Sequence, residues 1–468
     1  MTRAGDVIVV GAGAAGLAAA TALAADGAKV ILLERRPFVG GRAYSYPHPT
    51  LGEVVDSQHV LLGCCTNLIH LLGESGLSDQ IRWYDKQTFL EPADPSRPVR
   101  ESAIEISSLP APFEYAASFA KASMLGLLDK AGIARGLLQL ADGKQASDSE
   151  SVSQWYARTR QTPYAIQHFW EPLVLATLND TSARCSMKYG AKVLYEIFLK
   201  TRTGGRLGIP TLPLSDLYGK VAQHFASLGG FFRDRASVES IHYRPDGAWD
   251  IRLANETLTA RNIILALPFE QTQRLLESVS GAQRLLGQME HFEHSPFISI
   301  LLWFDRQISA LDHAWLLDTT IQWFFHKSKI RGYPTCQGSY VELVIAGSKK
   351  EIAYSRQAIL EPALAELKRF FPDAAKATLL KSGILKEARA TFSVTPGLDA
   401  FRPSQATPLD GLYLAGDWTK TDWPSTMEGA VRSGRLAAGA LSGDPQRYLT
   451  PDLQPAVLMR WLRASRAP

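Results

Sequence analysis

Two stretches carry residues whose types and spacing can do chemistry. The first is Gly11-Ala12-Gly13-Ala14-Ala15-Gly16, which follows Val7-Ile8-Val9-Val10 and leads to Glu34. Gly11 permits a tight turn, Gly13 lets the backbone approach a pyrophosphate, and Gly16 lets a helix pack against its strand. The helix begins at Ala14 and Ala15, and its unpaired N–H groups face the phosphates. Glu34 ends the next strand with a carboxylate that accepts from a ribose 2′-hydroxyl and repels a 2′-phosphate. This is the chemistry of dinucleotide binding. In the second stretch a hydrophobic strand ends in Gly416-Asp417, and after Ser425 a helix opens near Thr426 and Met427. Small Gly429 and Ala430 allow close approach to its first turn. Between the two stretches, His59 changes charge near neutral pH and is a candidate for proton chemistry.

The elements that position these residues follow from the hydrophobic pattern. Residues 7–10 read as a buried parallel strand, 14–25 as a helix and 29–33 as the next strand. Prolines break the pattern between 92 and 112, where the chain crosses into another domain. Residues 113–140 read as helical and unusually apolar, and 217–228 as a helix stopped by Gly229-Gly230. Small strands are expected at 236–241, 249–253 and 257–261, and buried ones at 263–268 and 297–305. A helix is expected over 353–370. After Pro445 the tail is basic and amphipathic, with Leu453, Val457, Leu458 and Trp461 beside Arg460.

At 468 residues the chain is long enough for two or three domains. A net charge of +4 gives no argument for nucleic acid. Cys64, Cys65, Cys185 and Cys336 show neither metal-ligand spacing nor a disulfide framework, so no metal and a reducing cytoplasm are expected. The uncharged run 7–25 is broken by turn glycines and flanked by Asp6 and Asp26, unlike a signal or membrane segment.

Arg35 is followed closely by Gly40-Gly41-Arg42, just past the ribose-binding acid, and this spacing resembles the flavoprotein amine oxidase and carotenoid desaturase superfamily. The resemblance implies an α/β fold: a Rossmann-type FAD-binding domain assembled from discontinuous segments (1–90, 205–288 and 400–445), with an α+β substrate domain (91–204 and 289–399) and a tail (446–468). It implies non-covalent FAD, with Arg35, Gly41 and Arg42 beside the pyrophosphate and Val238 giving main-chain contacts to the adenine. Ala266 would lie under the flavin, Gln58 and His59 along it, and Gly416 and Asp417 against the ribityl chain. The helix opening at Ser425, Thr426, Met427 and Ala430 would face flavin N1–C2=O, where its dipole stabilises the reduced ring. The lysine that amine oxidases place near flavin N5 has no counterpart in 289–304, which counts against amine oxidation.

Gln58-His59 and Gly63-Cys64-Cys65-Thr66-Asn67 resemble a narrower group, the hydroxysqualene dehydroxylases of hopanoid synthesis. That implies reduction of a hydroxysqualene-like C30 allylic alcohol to squalene, by protonation of the hydroxyl and hydride transfer from reduced flavin. His59 would be the acid, and Trp170 and Trp418 the aromatic faces beside the allylic cation. An external reductase or another electron donor, such as transiently bound nicotinamide, would supply electrons, and a lipid substrate implies peripheral attachment to the inner face of the membrane. Two alternatives stand: a carotenoid-type desaturase or isomerase, and a non-catalytic flavin-binding subunit that delivers lipid.

Overall fold

The structure, a computed structural model, describes residues 6–141, 146–334 and 338–465, so Cys336 lies outside the described residues. Val7–Val10 is paired on both edges, and all four positions are buried because both faces are covered, Ile8 and Val10 packing into one core and Val7 and Val9 into another. Val7 stands opposite Val30 on one side and Asn262 on the other, both in parallel register. The resulting parallel sheet runs Phe231–Arg233, Val30–Leu33, Val7–Val10, Asn262–Leu265, Leu412–Leu414. Its strands come from three separated parts of the chain, as a discontinuous Rossmann-type domain requires. The expected small sheet is present and is antiparallel, with Ser240–Tyr243, Trp249–Arg252 and Thr257–Ala260 paired in that order, its first strand starting later than the expected 236.

Helix Ala14–Ala25 is apolar on all sides because all its sides are covered: ten of its twelve residues are buried. Helix Met427–Leu441 crosses it so closely that a Cβ on Gly434 would stand 2.0 Å from the Ala15 carbonyl oxygen. On the strand side, a Cβ on Gly16 would stand 1.8 Å from the Gly11 carbonyl oxygen. Small residues here are a demand of backbone-to-backbone packing.

The second large sheet has seven strands, in the order Leu379–Phe392, His294–Phe304, Ser339–Ala346, Trp323–Phe325, His313–Leu316, Lys86–Glu91, Arg100–Glu105. All neighbours are antiparallel except His313–Leu316 with Lys86–Glu91, where Trp315 aligns with Phe89. Lys86–Glu91 therefore lies with the substrate-side sheet, and the crossing expected after 90 falls before 86. Local pattern could not place it, since the partner strand is more than two hundred residues away. The 113–140 stretch is two helices, Ala116–Lys121 and Leu127–Leu140, and the second is capped by the Asp129 carboxylate, which accepts from Gly126 N–H at 2.8 Å. Helix Arg356–Phe370 starts after the expected 353, where the Ser355 hydroxyl accepts from Ala358 N–H.

The tail is tied to the body. Asp452 pairs with Arg432 at 2.7 Å, Ala456 N–H donates to the Lys200 carbonyl at 2.8 Å, and Met459 of helix Val457–Ser465 is fully buried. Val457 and Trp461 on the same helix stay exposed. No helix among the described residues is long and apolar enough to cross a membrane.

The close crossing can be tested directly. Gly434→Ala should destabilise the protein by about 2 kcal/mol or more, read as a lower urea midpoint, because the atom it meets is backbone and cannot rotate away. An unchanged midpoint would show that the two helices do not approach this closely.

Candidate active site

The glycine turn builds a cradle of bare backbone. Gly11 has φ +102°, and a Cβ there would stand 2.5 Å from the Ala266 carbonyl oxygen, so only glycine holds the strand end against Ala266. Helix Ala14–Ala25 opens at Gly13 with no side-chain cap and no acid in its first turn. Its first N–H groups are left for an anion. Gly41 (φ +64°) faces this end so closely that a Cβ on it would lie 2.9 Å from Gly13 Cα. Glu34 is buried, and its two carboxylate oxygens accept from Ala12 N–H and Arg36 N–H, each at 2.9 Å. It is therefore fixed at the strand end with lone pairs left over for a ribose.

Of the arginines in this loop, Arg35 is exposed and turned to the surface. The one that organises the loop is Arg36, which sequence reasoning passed over. Its guanidinium lies 4.7 Å from the Tyr44 ring centroid and donates to the Gly41 carbonyl at 3.1 Å. Val238 is buried near this end, just before strand Ser240–Tyr243, and Ala236 N–H donates to the Glu34 carbonyl at 2.8 Å.

At the other end the predicted residues meet. Arg42 and Ser425 both donate to the Asp417 carboxylate, and Gly416 N–H donates to the Ser433 hydroxyl at 2.7 Å. The Thr426 hydroxyl accepts from Gly429 N–H at 3.0 Å and caps helix Met427–Leu441, while Met427 Sδ accepts from the Tyr218 hydroxyl. Ala430, one turn in, is partly exposed. The loop that carries Asp417 is threaded by buried Arg402, which donates to the carbonyls of Asp417 at 2.7 Å and Trp423 at 2.8 Å. Nothing local marked Arg402; its partners are backbone carbonyls of a loop that folds back on it.

The Asp56–Val60 segment is clamped by buried charge. Lys327, with no exposed surface, donates to the Asp56 carbonyl at 2.8 Å, to the Asp56 carboxylate, and to Glu342 Oε2 at 2.8 Å. Arg331 donates to both Asp56 oxygens at 2.6 and 2.7 Å. Burial by itself would raise the Asp56 carboxyl, but Lys327 and Arg331 outweigh it and bring it down to about 2. Glu342 Oε1 accepts from Gln58 N–H at 2.8 Å and from the Ser299 hydroxyl at 2.6 Å. Next along the chain, His59 Nδ1–H donates to the Ser57 carbonyl at 2.9 Å, which leaves Nε2 as an acceptor. Burial lowers the His59 pKa, opposed by the Ser57 bond and the charges of Asp56 and Glu342.

An apolar cavity opens beside the Thr426–Glu428 turn, walled by Val60, Phe89, Phe169, Leu173, Trp315 and Trp323. His59 is not in this wall, though its neighbour Val60 is. Trp170 and Trp418 do not line it either, contrary to expectation. Trp170 is fully buried, edge-on to Trp155, with its indole N–H donating to Gln161 at 2.8 Å. Trp418 donates to the Leu267 carbonyl at 2.9 Å under the strand end. Both indoles need a buried acceptor, and finding one turns them into the core. The adjacent Phe169, with no such demand, takes the wall.

Polar groups also stand in the wall. Cys64 and Cys65 are free, buried thiols that pack as small apolar groups, and Cys64 is pushed well up by its bond to Cys65 and by burial. Glu196 and Glu428 are buried carboxyls. Glu428 accepts from Leu68 N–H at 2.8 Å and from the Asn67 side chain at 3.0 Å, yet burial raises its pKa. Away from this site, Glu91, His168 and Asp318 bring metal-ligating atoms within 4.8 Å, but Arg100 occupies both Glu91 oxygens.

This geometry is that of a flavoprotein oxidoreductase with an apolar substrate cavity. The chain belongs to the family of flavin-containing amine oxidoreductases, whose description matches residues 14–442. It is 28% identical over 460 residues to the 15-cis-phytoene desaturase of Solanum lycopersicum, covering 94% of this chain and 78% of that protein. To the 15-cis-phytoene desaturase of Synechococcus elongatus it is 26% identical over 457 residues, covering 93% and 95%. An oxidoreductase structure from Methanosarcina mazei superposes with a TM-score of 0.72 at 19% identity, covering 94% of this chain and all of that one. The cofactor is FAD, and the uncapped helix start facing the Gly13–Gly41 contact suits its pyrophosphate.

Gly13→Val should abolish FAD retention, and Glu34→Ala should weaken it about tenfold, a loss of roughly 1–3 kcal/mol for a buried acceptor. Acid precipitation of the native protein should leave the yellow colour in the supernatant; flavin in the pellet would mean a covalent link.

Proposed function

We propose that this oxidoreductase acts on a linear isoprenoid and, more specifically, reductively dehydroxylates a hydroxysqualene-like C30 allylic alcohol to squalene. The observation that carries the substrate class is the apolar cavity beside the flavin-facing helix turn. One observation favours an alcohol: the Gln58-His59 and Gly63–Asn67 residues resemble the dehydroxylases.

Reduced FAD, when bound, supplies the hydride that replaces the leaving oxygen, so that alcohol plus two reducing equivalents gives hydrocarbon and water. The chain's own residues have three tasks. The wall excludes water from a developing allylic cation. Phe169, Trp315 and Trp323 present aromatic rings that tolerate such a cation. A proton must reach the hydroxyl as the C–O bond breaks, and we assign it to His59 in its protonated form, with the proton on Nε2, next along the chain to the wall residue Val60. An external reductase supplies the electrons.

Carotenoid-type desaturation is the second reading. The relatives named above are desaturases, and a His59 held below its usual pKa is better suited to taking a proton than to giving one. One experiment separates the two. Reduced enzyme under anaerobic conditions should convert hydroxysqualene to squalene, and oxidised enzyme should leave a carotene precursor unchanged. Desaturated product from the oxidised enzyme, with no squalene from the reduced one, would reverse the assignment. Under rapid single turnover, deuterium at flavin N5 should appear at the carbon that lost oxygen.

A lipid substrate also calls for peripheral attachment at the inner face of the membrane. Leu127, Leu128 and Leu138 lie exposed on one face of helix Leu127–Leu140, at a spacing of about three turns, while Ile133 and Gly136 face inward. Leu127→Asp with Leu128→Asp should weaken binding to anionic liposomes at least about tenfold. Removal of the residues after Pro445 and added salt should weaken it further. Undiminished binding by the leucine variant would exclude this face.

A further inference from the structure

Lys327, Glu342, Asp56 and Arg331 form a buried, charge-balanced quartet at the seam between two parts of the fold. Asp56 ends strand Val54–Asp56, and its carboxylate also accepts from Leu214 N–H at 3.2 Å, at the start of helix Leu214–Ser227. Glu342 lies in the middle of Ser339–Ala346, a central strand of the seven-stranded sheet. Lys327 spends all three N–H bonds joining the two carboxylates and the Asp56 carbonyl. Removing four ionised groups from water is costly unless the geometry is good and every remaining polar site is met. A helix cap or an apolar contact would join these elements at lower cost. What the quartet does that an apolar contact could not is hold the next three residues from both sides. The Asp56 carboxylate is pinned by two cations and a helix N–H, and two residues later Gln58 N–H is pinned by Glu342. Between those anchors lies the Ser57 carbonyl that orients His59, and Gln58 Nε2 donates to the His59 carbonyl at 2.8 Å.

We propose that Lys327 and Glu342 are positioning residues for the reaction: they fix the 56–60 segment, and with it the orientation of His59, against the flavin domain. The inference rests on the functional reading above, in which His59 exchanges the proton. The charged groups that face His59 are Asp56, Glu342 and Lys327, so the same residues that place the ring also set its field. Sign follows from charge: loss of Glu342 should move the His59 titration to lower pH, and loss of Lys327 should move it to higher pH.

Lys327→Met alone would leave two carboxylates facing one arginine and can unfold the chain, so the test uses K327M/E342Q, which removes one charge of each sign. The expected result is a folded holoenzyme with wild-type FAD content, kcat for hydroxysqualene lowered about 100-fold, and KM changed less than about threefold. E342Q keeps an oxygen for Gln58 N–H. It should give a folded protein whose His59 ring resonances titrate at lower pH, and it stands in for the double variant if that variant does not accumulate. Wild-type kcat in the double variant, or an unmoved His59 titration in E342Q, would overturn the proposal. His59→Ala is run in parallel. If it turns over at the wild-type rate, the catalytic role of His59 falls, and the positioning claim is then judged on the titration alone.

Discussion

Helix Ala14–Ala25 has no room for side chains on two of its sides, and most of the molecule is arranged around that fact. Gly16 meets the strand turn and Gly434 meets the helix from below at distances where a single Cβ would overlap backbone oxygen. Packing this tight brings the helix start, with its bare N–H groups, next to the Gly40–Gly41 turn and within one helix diameter of Met427–Leu441. The pyrophosphate end and the ring end of the cofactor site are thus set by one stack of elements. A change in either glycine would be felt at both ends.

The second constraint is electrostatic. The chain buries charge where the seven-stranded sheet meets the 56–60 segment, and the carboxylates and the lysine are each met: Lys327 by three acceptors, Asp56 by two cations and a helix N–H, Glu342 by a hydroxyl, an amide and the lysine. Such a network adds little net stability over apolar packing, but it tolerates only one arrangement of its members. A cavity wall of interchangeable hydrophobic residues, by contrast, accepts small shifts. Precision in the 56–60 segment and tolerance around the cavity are therefore built from different interactions.

The cavity adds a largely apolar space to the family fold. The glycine turn, Asp417 and the capped helix at Thr426 lie at one side of it. In its wall, buried carboxyls and two adjacent thiols interrupt aromatic and aliphatic surface. Those polar groups are held by neighbours on helices Thr66–Glu74 and Met187–Phe198, outside the cofactor domain's sheet. Glu428 itself stands in the first turn of helix Met427–Leu441, so wall and helix start share one element.

Much of the cofactor domain was legible in the residues themselves. Val7–Val10, Gly11–Gly16 and Glu34 lie within one strand–turn–helix–strand unit, and the strand into Gly416-Asp417 leads directly to the helix after Thr426. Each is a run of hydrophobic strand, turn glycine and helix start, readable along the chain even where its partners, such as Ala266 for Gly11, are distant. The parts decided only by tertiary structure are those whose partners are distant. Lys327 stands 271 residues from Asp56, and its importance exists only once the seven-stranded sheet has formed. Lys86–Glu91 changed sides because its parallel neighbour is His313–Leu316. Trp170 went to the core and Phe169 to the wall because Gln161 offered the indole an acceptor, which composition and periodicity cannot register. Local sequence determines backbone shape and cofactor chemistry; which side chains share a buried space depends on long-range packing and on where each buried polar atom finds a partner.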